Sequence, residues 1–171
     1  MQAKELHATD RLLLFERDGW EFVERKKGKS AVAVIAVTND REFVLVEQVR
    51  KPVDRRVIEL PAGLIGDEDP NADATTTAKD ELLEEAGFTC ERVELLTTSP
   101  TSPGITSETV VFARAYGLTR TGAGGGVGNE KITVHLVPLA AVESWLRERE
   151  HEGLLVDVKV WGGLYFAHKS T

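Results

Sequence analysis

Short apolar runs broken by turn residues fill the first part of the chain. Residues 11–16, 20–25, 30–37 and 43–49 are rich in Val, Ile, Leu and aromatics and are separated by Asp18-Gly19, Lys27-Gly28-Lys29 and Asn39-Asp40. That is the composition and punctuation of β-strands, and the alternating or continuous apolar positions predict a sheet with at least one buried face. A short strand-like segment, 57–60, runs into Pro61-Ala62-Gly63 and an acidic polar loop, 66–73. Residues 72–86 form the clearest helix, closed by Gly87, the residue type that most readily takes the left-handed conformation after a last turn. Strands are expected again at 92–98, 108–115 and 132–137, and an amphipathic helix at 139–150. Residues 156–168 read as a further helix despite their β-branched residues and Gly162-Gly163, and the glycine-rich stretch 122–128 reads as a flexible loop before the next strand.

Composition narrows the setting. At 171 residues, 42% hydrophobic and 29% charged, the chain suits one ordinary domain, or one domain with a small appendage. The single cysteine, Cys90, excludes an intrachain disulfide and a thiolate zinc cluster. The first seven residues lack the apolar core of a secretory signal, and the longest apolar run, 31–37, is far short of the roughly 20 residues that span a bilayer. A cytoplasmic protein without a membrane partner is therefore expected. A net charge of −7 disfavours broad binding to nucleic acid, which needs a dense basic surface. A phosphate ligand would need a cation as mediator.

The end of the 72–86 helix concentrates that negative charge. With Glu81 at zero on a helical wheel, Glu85 lies at about +40° and Glu84 at about −60°, so the three carboxylates share a face, while Asp80 points away at about −100°. Ala78, Leu82 and Ala86 form the neighbouring apolar stripe. Like charges one turn apart repel, and negative charge at a helix C-terminus opposes the macrodipole, together by roughly 0.5 to 1.5 kcal/mol. A run of glutamates by itself reads as a solvated acidic face. A hard divalent cation is the other compensation, and carboxylate oxygens are what magnesium and manganese prefer.

The second half of this helix, with Gly63 ahead of it, resembles the signature of the Nudix hydrolases, Gly-x5-Glu-x7-Arg-Glu-U-x-Glu-Glu-x-Gly-U, where U is a bulky apolar residue. Glu81, Leu82, Glu84, Glu85, Gly87 and Phe88 match it in register. Gly63 to Gly87 is three residues longer than the signature, Asp80 stands in place of its Arg, and Ala72 stands in place of its first Glu. In the family those two residues brace the helix; Lys79 and Asp73 are nearby substitutes out of register. The resemblance covers most of residues 20–137 and is closest to the ADP-ribose pyrophosphatase and nucleotide-sugar hydrolase branch. It rests also on Glu47-Gln48-Val49-Arg50, on Glu59-Leu60-Pro61-Ala62-Gly63-Leu64-Ile65, on Ser102-Pro103-Gly104-Ile105-Thr106-Ser107-Glu108 and on Asn129-Glu130-Lys131-Ile132-Thr133-Val134.

The resemblance implies an α/β (α+β) fold, an α/β/α sandwich around a mixed sheet at residues 30–171. Residues 1–29 would form a small antiparallel sheet that joins a homodimer. It implies hydrolysis of the pyrophosphate bond of a nucleoside diphosphate sugar, ADP-ribose foremost, to a nucleoside monophosphate and a sugar phosphate. Magnesium would be the cofactor, with manganese able to substitute. Glu81, Glu85 and the Ala62 carbonyl would ligate metal, Glu84 would be a further ligand or assist one, and Glu130 would be the general base. Arg50 would touch a phosphate and Glu108 the substrate or a metal. Trp20 would stack on the nucleobase across the dimer, although an aromatic in a strand is more often core. The altered signature leaves a second function class open, a nucleotide sensor of the same fold without turnover.

Other motifs fail. Gly28-Lys29-Ser30 lacks the earlier glycine of a P-loop, where Val23 stands. His7, His135, His151 and His168 have no metal-ligand spacing, and Ser107 has no Gly-x-Ser-x-Gly setting.

Overall fold

A computed structural model describes residues 2–28, 30–67, 69–128 and 130–169. Lys29 and Asn129, quoted above for turn and motif, lie outside the described residues. Three N-terminal strands, β1 (Lys4–Ala8), β2 (Leu12–Arg17) and β3 (Trp20–Arg25), pair antiparallel in that order. β1 is not evident in the sequence, because all five of its residues are exposed and none marks a buried face; pairing to β2 defines it.

The remainder runs β4 (Ser30–Ala36), β5 (Glu42–Arg50), β6 (Arg55–Glu59), β7 (Ala62–Leu64), α1 (Ala74–Ala86), β8 (Phe88–Thr89), β9 (Arg92–Pro100), β10 (Thr109–Tyr116), β11 (Thr119–Arg120) and β12 (Thr133–Pro138). A 3₁₀ turn, α2 (Val142–His151), β13 (Leu155–Val156) and α3 (Val158–His168) complete it. Two four-stranded sheets, ordered β7-β4-β10-β9 and β12-β5-β6-β13, are each mixed: β10 runs parallel to β4 and β13 parallel to β6, while the other pairs are antiparallel.

β4 and β5 read as continuous apolar runs because both of their faces are buried. Val32, Val34, Val44 and Val46 meet Ala78, Leu82 and Ala86 of α1 in one core, so the apolar stripe read from the wheel is the packed one. Ala33, Ile35, Phe43 and Leu45 meet Leu146 of α2 and Val160 and Leu164 of α3 in the other. Helices thus lie on both sides of the strands, as the sandwich reading expects. Gly163 explains itself here: a Cβ would come within 2.8 Å of Leu60 Cδ1, so its lack of a side chain lets α3 sit close on the sheet.

Candidate active site

α1 starts two residues later than the sequence suggests, because Asp73 serves as its cap. The Asp73 carboxylate accepts the Thr76 N–H at 2.8 Å, which holds its pKa below the usual carboxylate range. Asp73 therefore braces the start of the helix as its cap. At the other end Gly87 takes φ 75° and its N–H bonds Leu83 O at 2.9 Å.

The stretch 122–128, expected to be a flexible loop, is docked on this helix end. Gly125 and Gly126 donate their N–H groups to the carbonyls of Glu85 and Glu84 at 2.9 and 3.0 Å. Thr121 and Gly122 bond Gly87 O in the same way. These bonds satisfy carbonyls that a helix C-terminus otherwise leaves to water. The approach needs glycine: a Cβ on Gly124, at φ +71°, would collide with Glu85 O and Ala86, and one on Gly87 would collide with Gly122 O. The reversal also fixes Glu130, whose Oε2 accepts the Val127 N–H at 3.0 Å.

The carboxylates of α1 meet β7. Ala62 donates its N–H to Glu85 Oε2 at 2.9 Å, which ties the helix to β7. Glu81 lies over Gly63, its carboxylate occupying the space where a Cβ would stand. Glu85 is 5% exposed, and its pKa is pushed up to about 8, by burial first and by the charges of Glu81 and Glu130, against the Ala62 bond and Arg50. Glu81, Glu84, Glu85 and Glu130 border one cleft of about 1040 Å³, together with Arg50, Glu108 and Ala62. Asp80, placed away from the cluster by the wheel, borders it too, since the cleft is wide enough to take in the next helical row.

Arg50, at the end of β5, is held by Glu59, which it grips through Nε at 3.0 Å to both oxygens and through Nη2 at 2.9 Å. Burial is the largest influence on Arg50 and opposes its charge, but the Glu59 hydrogen bond together with the negative charges of Glu59, Glu85 and Asp157 outweighs it and raises its pKa. Glu108 is paired with Arg25 at 2.6 Å, and both border the cleft. Trp20 is 63% exposed, does not border its own chain's cleft, and donates Nε1–H to Gly104 O at 3.1 Å. Sequence reasoning missed Arg25, to which nothing in the chain points, and gave no role to Glu59, although it stands in a quoted segment.

The donor set suits a hard divalent cation: carboxylate oxygens, one of them buried with its charge incompletely balanced, beside a glycine whose side-chain space Glu81 fills. Among the described residues no group of three His, Cys, Asp or Glu side chains is already gathered at metal distance. The carboxylates border one cleft without being drawn together.

Residues 27–156 match the NUDIX domain. The chain belongs to that family. It is 39% identical over 114 residues to a methanol dehydrogenase activator of Bacillus methanolicus, covering 67% of this chain and 60% of the relative. It is 39% identical over 84 residues to an ADP-ribose pyrophosphatase of Bacillus subtilis (strain 168), covering 49% of this chain and 44% of the relative. The chain therefore spans less than two thirds of the length of either. The crystal structure of an ADP compounds hydrolase superposes with a TM-score of 0.65 at 19% identity, covering 86% of this chain and 81% of that one, which supports the NUDIX fold.

Proposed function

We propose that this NUDIX protein is a magnesium-dependent enzyme that hydrolyses the pyrophosphate bond of a nucleoside diphosphate sugar, ADP-ribose foremost, to a nucleoside monophosphate and a sugar phosphate. The observation that carries the reading is the meeting of four carboxylates and a braced arginine in one cleft, which Glu81, Glu84, Glu85, Glu130 and Arg50 border together. Glu81, Glu85 and the Ala62 carbonyl would hold the metal, with Glu84 ligating or assisting. Bound there, magnesium or manganese supplies the charge that lets a diphosphate enter an acidic cleft and makes water a better nucleophile.

Arg50, kept charged by Glu59, holds a phosphate oxygen. Glu130 takes the proton of the attacking water, at the end of a loop whose docking keeps the carboxylate near the helix. Glu108, with one oxygen held by Arg25, meets the substrate through the other. Trp20 stacks on the nucleobase of a partner protomer's ligand, since it lies outside its own cleft. The protein would act as a cytoplasmic homodimer through the β1–β3 sheet.

A second reading, a sensor that binds a nucleotide without turnover, is favoured by the altered signature at Ala72 and Asp80 and by ligands that are not gathered. Incubation with ADP-ribose, GDP-mannose, UDP-glucose and a nucleoside triphosphate in magnesium, with coupled phosphatase release, separates the two. Turnover of a nucleotide sugar supports the enzyme, and saturable binding without turnover the sensor. Glu130→Gln is expected to lower kcat about 100-fold or more with little change in KM, and wild-type kcat in that variant means another group is the base.

A further inference from the structure

The cleft continues beyond Arg50 toward α3. Its volume of about 1040 Å³ stands at the top of the range for small-molecule sites, and a diphosphate alone does not fill it. β13 adds to β6 through Leu155 opposite Val57 and Val156 opposite Ile58, and the Asp157 N–H bonds Ile58 O at 2.9 Å. The chain then turns into α3. Asp157 caps that helix with Oδ1, which accepts the Lys159 N–H at 2.7 Å, while Oδ2 holds Lys159 Nζ at 2.5 Å. Both side chains border the cleft and are only 17% and 23% exposed. Arg50 lies within electrostatic reach of both Glu85 and Asp157, and all three border the same cleft with Lys159. Beside the pair, Leu155 and Val158 leave apolar surface open, Val158 at 73%.

We infer that Asp157 and Lys159 form a hydroxyl-binding subsite for the sugar esterified to the phosphate at Arg50. This rests on the reading of the cleft as a nucleotide-sugar site. A vicinal diol offers donors and acceptors side by side; a carboxylate accepts from one hydroxyl while an ammonium donates to its neighbour. A phosphate group, which accepts only, is poorly served by a cation already matched to a carboxylate. The apolar surface of Leu155 and Val158 suits the C–H face of a sugar ring. The helix cap does not need the lysine side chain, since it is made by the Lys159 main-chain N–H.

The test is calorimetric binding of ribose 5-phosphate, 2-deoxyribose 5-phosphate and adenosine monophosphate, in magnesium and without turnover, to the wild type, Lys159→Met and Lys159→Arg. Thermal unfolding of each variant checks that the fold is kept. Lys159→Met is expected to weaken ribose 5-phosphate about tenfold or more, the usual scale of one charge-assisted hydrogen bond, with adenosine monophosphate within about twofold. Lys159→Arg recovers most of the loss. The deoxy compound binds the wild type more weakly and responds less to Lys159→Met. Equal affinity of wild type and Lys159→Met for ribose 5-phosphate overturns the subsite, as does an equal loss for adenosine monophosphate. Binding of neither ribose 5-phosphate nor adenosine monophosphate to the wild type overturns the nucleotide-sugar reading and the subsite with it.

Discussion

Glu85 links stability to acidity more directly than any other residue described. Its folded pKa of about 8 stands above the ordinary 4.5, so the folded protein binds a proton that the unfolded chain releases. A raised carboxyl pKa stabilises the fold fully below the unfolded value and loses that contribution as pH rises through the folded one. The metal-free protein should therefore melt at falling temperature from about pH 5 to about pH 8.5, and Glu85→Gln should flatten that slope, because a neutral amide has no proton to lose. Calorimetric melting across this range reads it directly, and an equal slope in both proteins removes Glu85 as the source. At pH 8 magnesium should raise the melting temperature of the wild type more than that of Glu85→Gln, since a cation offsets the buried charge that the variant lacks.

The element that most changes meaning between sequence and structure is the glycine-rich segment. Low complexity conveys only that its residues tolerate unusual backbone angles. That its amides end α1 depends on a contact between residues some forty positions apart, which no local pattern records. Gly124→Ala should cut kcat well beyond any change in KM, because a Cβ there pushes the segment from Glu85 and carries Glu130 with it. Gly128→Ala is the matched control: its φ of +62° imposes similar strain, but a Cβ there meets nothing within 4 Å. Equal losses in both variants would assign the effect to backbone strain. The helix itself was legible, since Ala78, Leu82 and Ala86 repeat at one-turn spacing and Gly87 closes them. So were most strands, from apolar runs that both cores bury. β1, β7, β8, β11 and β13 were not, being short and held by pairing to other strands more than by their own composition. In the site, the glutamates were visible by spacing, whereas Arg50–Glu59 depends on the register of the β5–β6 pair and Arg25–Glu108 on a contact between residues 83 positions apart.

At the scale of the molecule, the β1–β3 sheet leaves Leu6, Leu12, Trp20 and, on the adjoining loop, Ile105 between 41% and 63% exposed. Large apolar side chains left this open on a small sheet are candidates for an interface, Trp20 foremost with Ile105, which lies next to its hydrogen-bond partner Gly104. The proposed homodimer should dissociate on replacing Trp20 and Ile105 together by Ser, seen as a shift to the monomer in sedimentation velocity. KM should rise in the same variant if the partner's Trp20 completes the nucleobase site. A wild type that sediments as monomer at all concentrations rules the dimer out. The hold of Gly125 and Gly126 on the end of α1 has a consequence in time as well. During synthesis the helix emerges long before those glycines, and its last carbonyls stay in water until they arrive. The acidic platform is thus among the later features to be set, and a nascent chain that has not reached the loop carries the glutamates without the frame that aims them.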